Sequence, residues 1–382
     1  MISCISDINL MYTRIRIQKI NHVSVKIVMP KGTVSKYINL EKKFYNAIKQ
    51  RAYRKLAKCR DRSIGVVCSG GGGVEFGAIM EGIKPIWGID ANPVSESKFK
   101  LSQMCSDYNE LNHGSHVIRR ALQNVNIFSL QKTDIIWASL PCDRASVMNR
   151  VHGKKESDLD TILANKLILI LDRLKPKIVC LENVPSWVNF EGCKLILKYL
   201  ENTGYNLDYR NYNFSHYGVP QRRVRLIIRA CKENINMFRI PRLVSTGWYD
   251  AISDLIHEFE AGEINPKVSE YLDSQKVDKT RYILVENVFN LNRSLYSDED
   301  SVLWTLRANI GVDGKGYSRN KTIAMWNPEI SSYQFLNSRA IARLSGFPDS
   351  YYMPEKSGYS AYICGLSVPP IFVSKVLSSF SL

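Results

Sequence analysis

The chain has no run of about 18 apolar residues of the kind that crosses a membrane. Its first residues, MISCISDINLMYTRIRIQK, lack a long apolar core and a small-residue cleavage site, which argues against a signal peptide. Nine cysteines are present, but none sit at CxxC spacing and none cluster with histidine. That excludes a zinc-finger pattern and a disulfide framework, and reads as reduced thiols in a cytosol, most of them buried as small hydrophobes. The dinucleotide fingerprint GxGxxG is absent, which removes a metabolic dehydrogenase. Internal repeats and low-complexity tracts are absent as well. Acids are scarce in one place above all: between residues 11 and 62, fifteen Lys and Arg face only Glu41 and Asp61. That surplus of thirteen is most of the net charge of +16. Such asymmetry points to a polyanionic partner, nucleic acid before any other.

What is present reads as four segments of 382 residues. Residues 1–62 form a basic extension, with a helical spacing of Leu40, Phe44, Ile48, Tyr53 and Leu56 and Asn39 as its cap. From 63 to 255 short apolar runs alternate with helical patterns. The runs are IGVV after residue 63, IKPIWGID, TDIIWASLPC (133–142), PKIVCLENVP (176–185) and VRLIIRA (224–230). LANKLILILDRLKP between the third and fourth reads as a helix that stops before Pro176. This alternation predicts an α/β fold, a Rossmann-like, mostly parallel sheet with helices on both faces. From 256 to 330 the rhythm fades, which predicts a smaller, irregular domain. Residues 331–382 return to the main domain through RAIARLSGFPD (339–349), a helix with a sharp stop, and GLSVPPIFVSKVL, a proline-started helix.

Four motifs carry candidate chemistry. Ser69-Gly70-Gly71-Gly72-Gly73 lies between a strand and a helix, the layout of a nucleotide-binding turn. Asp90 ends the next strand, where an acid can take both hydroxyls of a ribose. Taken alone, the same residues suit a glycine-rich turn without a ligand. Pro141-Cys142 follows the third strand and opens a loop with Asp143, Arg144 and Ser146; an exposed thiol near positive charge favours a thiolate. A buried structural cysteine is the plainer alternative. Glu182-Asn183-Val184-Pro185 ends the fourth strand, where burial would raise a carboxyl pKa and let it share a proton with a base edge. In Gln221-Arg222-Arg223-Val224-Arg225 a strand conformation would point Gln221, Arg223 and Arg225 to one side.

In this order and at these intervals, the motifs resemble the cytosine-C5 DNA methyltransferase family over roughly residues 64–382. The matching blocks are CSGGGG (68–73), ASLPCDRAS (138–146), LENVPSW (181–187), YGVPQRRVRLII (217–228), RAIARLSGFPD and GLSVPP (365–370), and Asp250-Ala251-Ile252 matches a shorter block. The resemblance implies that Cys142 attacks C6 of a flipped-out cytosine and that Glu182 holds N3 and the exocyclic amine. Arg223 and Arg225 hold the base carbonyl and orient the catalytic groups. It implies S-adenosyl-L-methionine as methyl donor, leaving S-adenosyl-L-homocysteine. Cys68, Ser69, Gly70, Gly72, Gly73, Asp90, Ala91, Pro141 and Ser367 then line the cofactor pocket, and no metal is required. Residues 256–330 fall where the family keeps its target-recognition domain. There Lys315, Tyr317, Arg319, Asn320 and Lys321, with Gln221 and Ser146 elsewhere, are expected DNA contacts. The expected partner is double-stranded DNA, met by a monomer in the cytoplasm of a prokaryote or from a phage. Whether a cognate restriction endonuclease accompanies it stays open.

The departures fall mostly in the cofactor half. Cys68 stands where the family has Phe, Asp90-Ala91 where it has Glu and a large residue, Ala340 where it has Glu, and Leu366 where it has Asn. Asp143 replaces a Gln. With less area to cover an adenine, cofactor binding is expected to weaken unless Trp87 or a residue near Gln123 fills the gap, and Gln123 or Asn124 stands in for an adenine-binding Asp. Two rivals are an RNA (tRNA) cytosine-C5 methyltransferase of the same superfamily and a catalytically inactive DNA-binding relative. The motif set reads as prokaryotic and DNA-directed against the first, and the intact Cys142, Glu182 and Arg225 argue against the second.

Overall fold

The β-branched runs become strands and the helical spacings between them become helices. A computed structural model describes residues 62–91, 96–141, 156–245, 247–288, 293–306 and 323–381, together with the backbone of two strands in the basic extension. Those two, β1 (Arg16–Asn21) and β2 (Ser24–Val28), pair antiparallel. Cys142, Ser146, Lys315, Tyr317, Arg319, Asn320 and Lys321 lie outside the described residues, as does the helix expected over 39–58.

The main sheet is built from β3 (Ser63–Val67), β4 (Lys84–Asp90), β5 (His116–Arg119), β6 (Ile135–Ala138), β7 (Ile178–Asn183), β8 (Tyr205–Asn213) and β9 (Val224–Lys232). Their order is β5-β4-β3-β6-β7-β9-β8. All neighbours are parallel except β9, which runs antiparallel to both β7 and β8. Among the helices are α1 (Gly73–Met80), α2 (Glu96–His113), α3 (Asp158–Leu174) and α4 (Glu191–Asn202). Two faces of a parallel sheet must both be covered. One is covered by α3 and α4, through Leu163, Leu167, Ile170, Leu171, Cys193, Ile196 and Leu200. The other is covered by α1 and by Phe372, Val373 and Val376 near the C-terminus. The start of α3 is fixed by a capping box between Ser157 and Asp160, and its end by Lys175 in the left-handed region before Pro176.

Beyond β9 come α5 (Trp248–Ile252), β10 (Glu260–Ala261), α6 (Pro266–Ser274), β11 (Ile283–Glu286), β12 (Tyr296–Asp298), β13 (Ile323–Asn327) and β14 (Ser332–Phe335). The region whose sequence shows no strand rhythm therefore holds a small antiparallel sheet, ordered β10-β14-β13-β11-β12. Its strands are two to five residues long, too short to print an alternating pattern. The chain then returns through α7 (Ser338–Leu344), α8 (Ser357–Leu366) and α9 (Pro370–Leu377). The apolar stretch 357–377 is broken at Ser367–Pro369 into these last two helices and is mostly buried in the core. A shared core of Met104, Tyr108, Trp248, Leu284, Met325, Ile341 and Ile363 joins α2 and the C-terminal helices to the small sheet.

RAIARLSGFPD has a structural task in this arrangement. Arg339 and Arg343 both donate to the Asp349 carboxylate, Arg343 also reaches Asp254 at 2.6 Å, and Arg339 reaches Glu258 at 3.1 Å. The two guanidinium groups hold the Asp349 carboxyl well below the usual carboxylate range. Its stabilisation is present above the ordinary carboxylate pKa and lost as pH falls below it. Asp349→Asn should cost about 1–2 kcal/mol at neutral pH, a value reduced for the partial exposure of the site. Urea unfolding at pH 7 and at pH 3 checks this, and the difference between variant and wild type should shrink at the lower pH.

Candidate active site

The carboxyl ends of β3, β4, β6 and β7 share one edge of the sheet, and β9 begins there because it runs the other way. Ligands of open α/β sheets bind at this edge, where the strand order diverges.

One half of the edge is the glycine turn. Cys68, Gly70 and Gly72 adopt left-handed φ values of 58°, 51° and 78°. A Cβ at Gly70 would meet nothing within 4 Å, so the backbone there fronts open space. Gly71 and Gly73 serve packing: a Cβ would strike Ile363 at 2.4 Å and the Val368 carbonyl at 2.1 Å, respectively. Ser367 abuts this packed side, and its hydroxyl donates to the Ile363 carbonyl at 2.7 Å. The N-terminus of α1 has no side-chain cap. Asp90, at the end of β4, accepts from the backbone N–H of Ala91 at 3.1 Å and from that of Gly70. Burial pushes its carboxyl up to about 7 against the pull of those two donors. Trp87 does not cover this space. It is buried against Gly65, and its indole N–H donates to the Gln131 carbonyl at 2.9 Å. Gln123 and Asn124 are exposed beyond β5. The Cys68 thiol is pushed up by burial and by Asp90.

Behind the turn lies a polar group that the motifs do not contain. The Asn109 amide donates to Ser69 Oγ at 3.2 Å, the Gly70 carbonyl at 3.3 Å and Glu75 Oε1 at 3.3 Å. Glu75 and Asn109 are both 0 % exposed. Burial pushes the Glu75 carboxyl up to about 8, with the Asp90 charge adding to the rise and the bonds from Asn109 and Ser69 opposing it. Tyr351 donates its hydroxyl to the Gly71 carbonyl. On α2, Ser106, Asn109, Asn112 and His113 are all buried. Asn112 donates to the Tyr352 carbonyl at 2.9 Å and accepts from the Tyr352 N–H at 2.6 Å. The glycine turn is thus tied to α2 and to the C-terminal segment together.

The other half of the edge holds Pro141, Glu182 and Arg225. Arg225 Nε and Glu182 Oε1 form an ion pair at 3.1 Å. Asn183 donates to the Leu140 carbonyl at 3.2 Å, which ties the end of β7 to the residue before Pro141. Arg223 and Gln221 precede β9 rather than extending it, so the three donors do not share one strand face. Arg223, 4 % exposed, donates to the Gly365 carbonyl at 2.9 Å. Gln221, expected on DNA, is 2 % exposed and donates to Ser345 Oγ at 3.4 Å. Arg225 thus forms the ion pair with Glu182, while Arg223 and Gln221 reach the C-terminal segment. Cys105, Cys180, Cys193, Cys231 and Cys364 are buried free thiols, as cysteines used for packing should be. Burial pushes the thiols of Cys180 and Cys193 up to about 12.

The family described as C-5 cytosine-specific DNA methylase matches residues 65–381. The chain is 25 % identical to the type II methyltransferase M.MthTI of Methanothermobacter thermautotrophicus, with 79 % of this chain and 91 % of the relative covered. It is 28 % identical to type II methyltransferase M.HpaII of Haemophilus parainfluenzae, over 65 % of this chain and 73 % of that protein. Among solved structures, a mutant of Spodoptera frugiperda DNMT2 matches with a TM-score of 0.57 at 18 % identity, covering 83 % of this chain and 99 % of that one. The Entamoeba histolytica methyltransferase EhMeth matches at 0.58 and 14 % identity, over 84 % and 98 %. These structural likenesses concern the fold.

The buried acids behind the turn make stability pH-dependent. Glu75 has a folded-state pKa raised above its unfolded value, so its contribution is full below about 4.5 and is lost as pH rises through about 8. Glu75→Gln should flatten the fall in thermal stability between pH 5 and pH 8.5, gaining roughly 1–3 kcal/mol on wild type across that span. Scanning calorimetry at the two pH values checks this, and parallel curves would contradict it.

Proposed function

Because the chain belongs to the C-5 cytosine-specific DNA methylase family, we propose that it methylates C5 of a flipped-out cytosine in duplex DNA, using S-adenosylmethionine and a covalent Cys142 adduct. The observation that carries this reading is the ion pair of Glu182 with Arg225 at the sheet edge, beside the strand end that leads to Pro141-Cys142.

C5 of cytosine is a poor nucleophile until a thiolate adds at C6. In this reading Cys142 forms that bond, and Glu182 holds N3 and the exocyclic amine so that the ring can accept the electron pair. Arg225 fixes the Glu182 carboxylate, and Arg223 acts by anchoring the Gly365 carbonyl of the C-terminal segment. Loss of the C5 proton then expels the thiolate and restores the ring. S-adenosylmethionine supplies an electrophilic methyl group when bound. The residues present fit it: Gly70 leaves room for close backbone approach, and Asp90 offers a carboxylate to ribose hydroxyls. The uncapped N-terminus of α1 suits its carboxylate. Ser69, Gly72, Gly73, Cys68, Ala91, Pro141 and Ser367 complete the surroundings.

The small sheet would frame a target-recognition domain over 256–330, with Lys315, Tyr317, Arg319, Asn320 and Lys321 on DNA. The basic extension 1–62 would add phosphate contacts. In this reading the protein acts as a monomer in the cytoplasm, prokaryotic or phage-encoded, with or without a cognate endonuclease; the type II names of its relatives support DNA as the substrate.

Bisulfite sequencing of DNA from an expressing host tests the reading. Cytosines within one short motif should resist conversion, and Cys142→Ser should abolish that protection. Uniform conversion with wild type, or methylation of tRNA in place of duplex DNA, would contradict it.

A further inference from the structure

We infer that a basic cleft at the outer strand of the main sheet seats the sugar-phosphate backbone of duplex DNA beside the target base, an inference that rests on the DNA-methylating reading above. The cleft, of about 630 Å³, lies on β8 and β9 and on the segment that follows β9. Asp208, Arg210, Tyr212, Arg229, Arg239 and Arg242 line it, among others, so four guanidinium groups face a single carboxylate.

That carboxylate is already engaged. Asp208 pairs with both Arg210 and Arg229, and the two arginines hold its carboxyl below the usual range. Arg229, 4 % exposed, also donates to the Phe238 carbonyl at 2.8 Å and to Ser379 Oγ at 2.7 Å. Asp208 and Arg229 therefore form the floor. Arg239 and Arg242 are exposed on the wall and have no carboxylate partner among the described residues. Two like charges facing one cleft repel each other, and an anion between them relieves this.

The backbone that carries them is held in place. The Phe238 N–H donates to the Ser379 carbonyl at 2.7 Å, next to Arg239. On the far side, the N–H groups of Leu243 and Ser245 donate to the carbonyls of His216 and Ser215, both at 2.9 Å. Leu243 lies over Gly218, in the loop that leads to Arg223 and Arg225.

Position then selects the anion. Tyr212, on the cleft, is the direct partner of Arg225 across β8 and β9, and Arg225 grips Glu182 on β7. Strands lie about 4.8 Å apart, so Arg210 on the cleft, level with Ile227 and Glu182 across the sheet, has its backbone roughly 10 Å from that of the group that would hold the base. At about 3.4 Å per nucleotide, that is the backbone roughly three steps from the target. Phe238, on the cleft, and Leu243, next to Arg242, are both exposed, so this wall of the cleft faces solvent.

The test uses the full chain with both Arg239→Gln and Arg242→Gln. Fluorescence anisotropy would follow binding to a duplex of about 30 base pairs carrying the methylated motif, and to one cut back to about two base pairs either side of the target and closed at both ends by uncharged linkers that hold its strands together. Two lost phosphate contacts should lower the log–log salt slope on the long duplex by about 1.8 and weaken binding roughly tenfold or more at 0.1 M salt. The short duplex should bind variant and wild type alike. An unchanged slope on the long duplex would overturn the inference, and so would an equal loss on both duplexes. So would saturable binding of a nucleoside triphosphate in the cleft with the long-duplex slope unchanged. A wild type that binds neither duplex would overturn the methylation reading itself.

Discussion

The arrangement at the carboxyl edge of the main sheet depends on one reversal of strand direction. β9 enters the sheet between β7 and β8 and runs against both. A parallel strand in that place would bring its end, not its beginning, to the carboxyl edge. Because β9 is reversed, its first residues emerge beside the last residues of β7, and Arg225 meets Glu182 at 3.1 Å. The loop that precedes β9 arrives at the same edge, so Arg223 can reach Gly365 and the segment after it. The cross-strand partner of Arg225 is Tyr212, and the pairing carries the polar row outward to the basic cleft.

The glycine-turn half is organised by a different principle, the cost of burying carboxyls. Glu75 is fully buried, and burial pushes both its carboxyl and that of Asp90 upward against the hydrogen bonds that each accepts. Under the proposed reading, ribose hydroxyls that donate to Asp90 would offset that cost. Asn109 holds the turn in shape through Ser69 and Gly70 while it also bonds Glu75, so the shape of the turn and the charge state behind it are coupled.

Much of this was legible in the sequence because the relevant patterns are local. β-branched runs gave the parallel strands, Pro176 and Pro370 marked helix boundaries, and the motif blocks put Glu182 and Arg225 on one edge. The rest was hidden for identifiable reasons. Ser106, Asn109, Asn112 and His113 recur at helical spacing on α2, and a polar stripe on a helix ordinarily faces water; here it is buried, with Asn109 and His113 against Gly72 and Asn112 on Tyr352. The small sheet escaped because β10 to β14 are short and pair over long separations. Gln221 and Arg223 read as strand residues with Arg225, but β9 starts only at Val224, which frees them to turn inward. Trp87 looked able to cover an adenine, yet the missing side chain of Gly65 is the space its ring occupies.

The central claim is that this edge assembles a cysteine nucleophile with the Glu182–Arg225 pair around a cytosine. The most direct measurement is mass spectrometry of the protein incubated with S-adenosylmethionine and a duplex carrying 5-fluorocytosine at the methylated position. Fluorine at C5 blocks the final proton removal, so the account predicts a stable protein–DNA adduct that maps to the peptide containing Cys142. An adduct on another cysteine, or methyl transfer without any adduct, would contradict it.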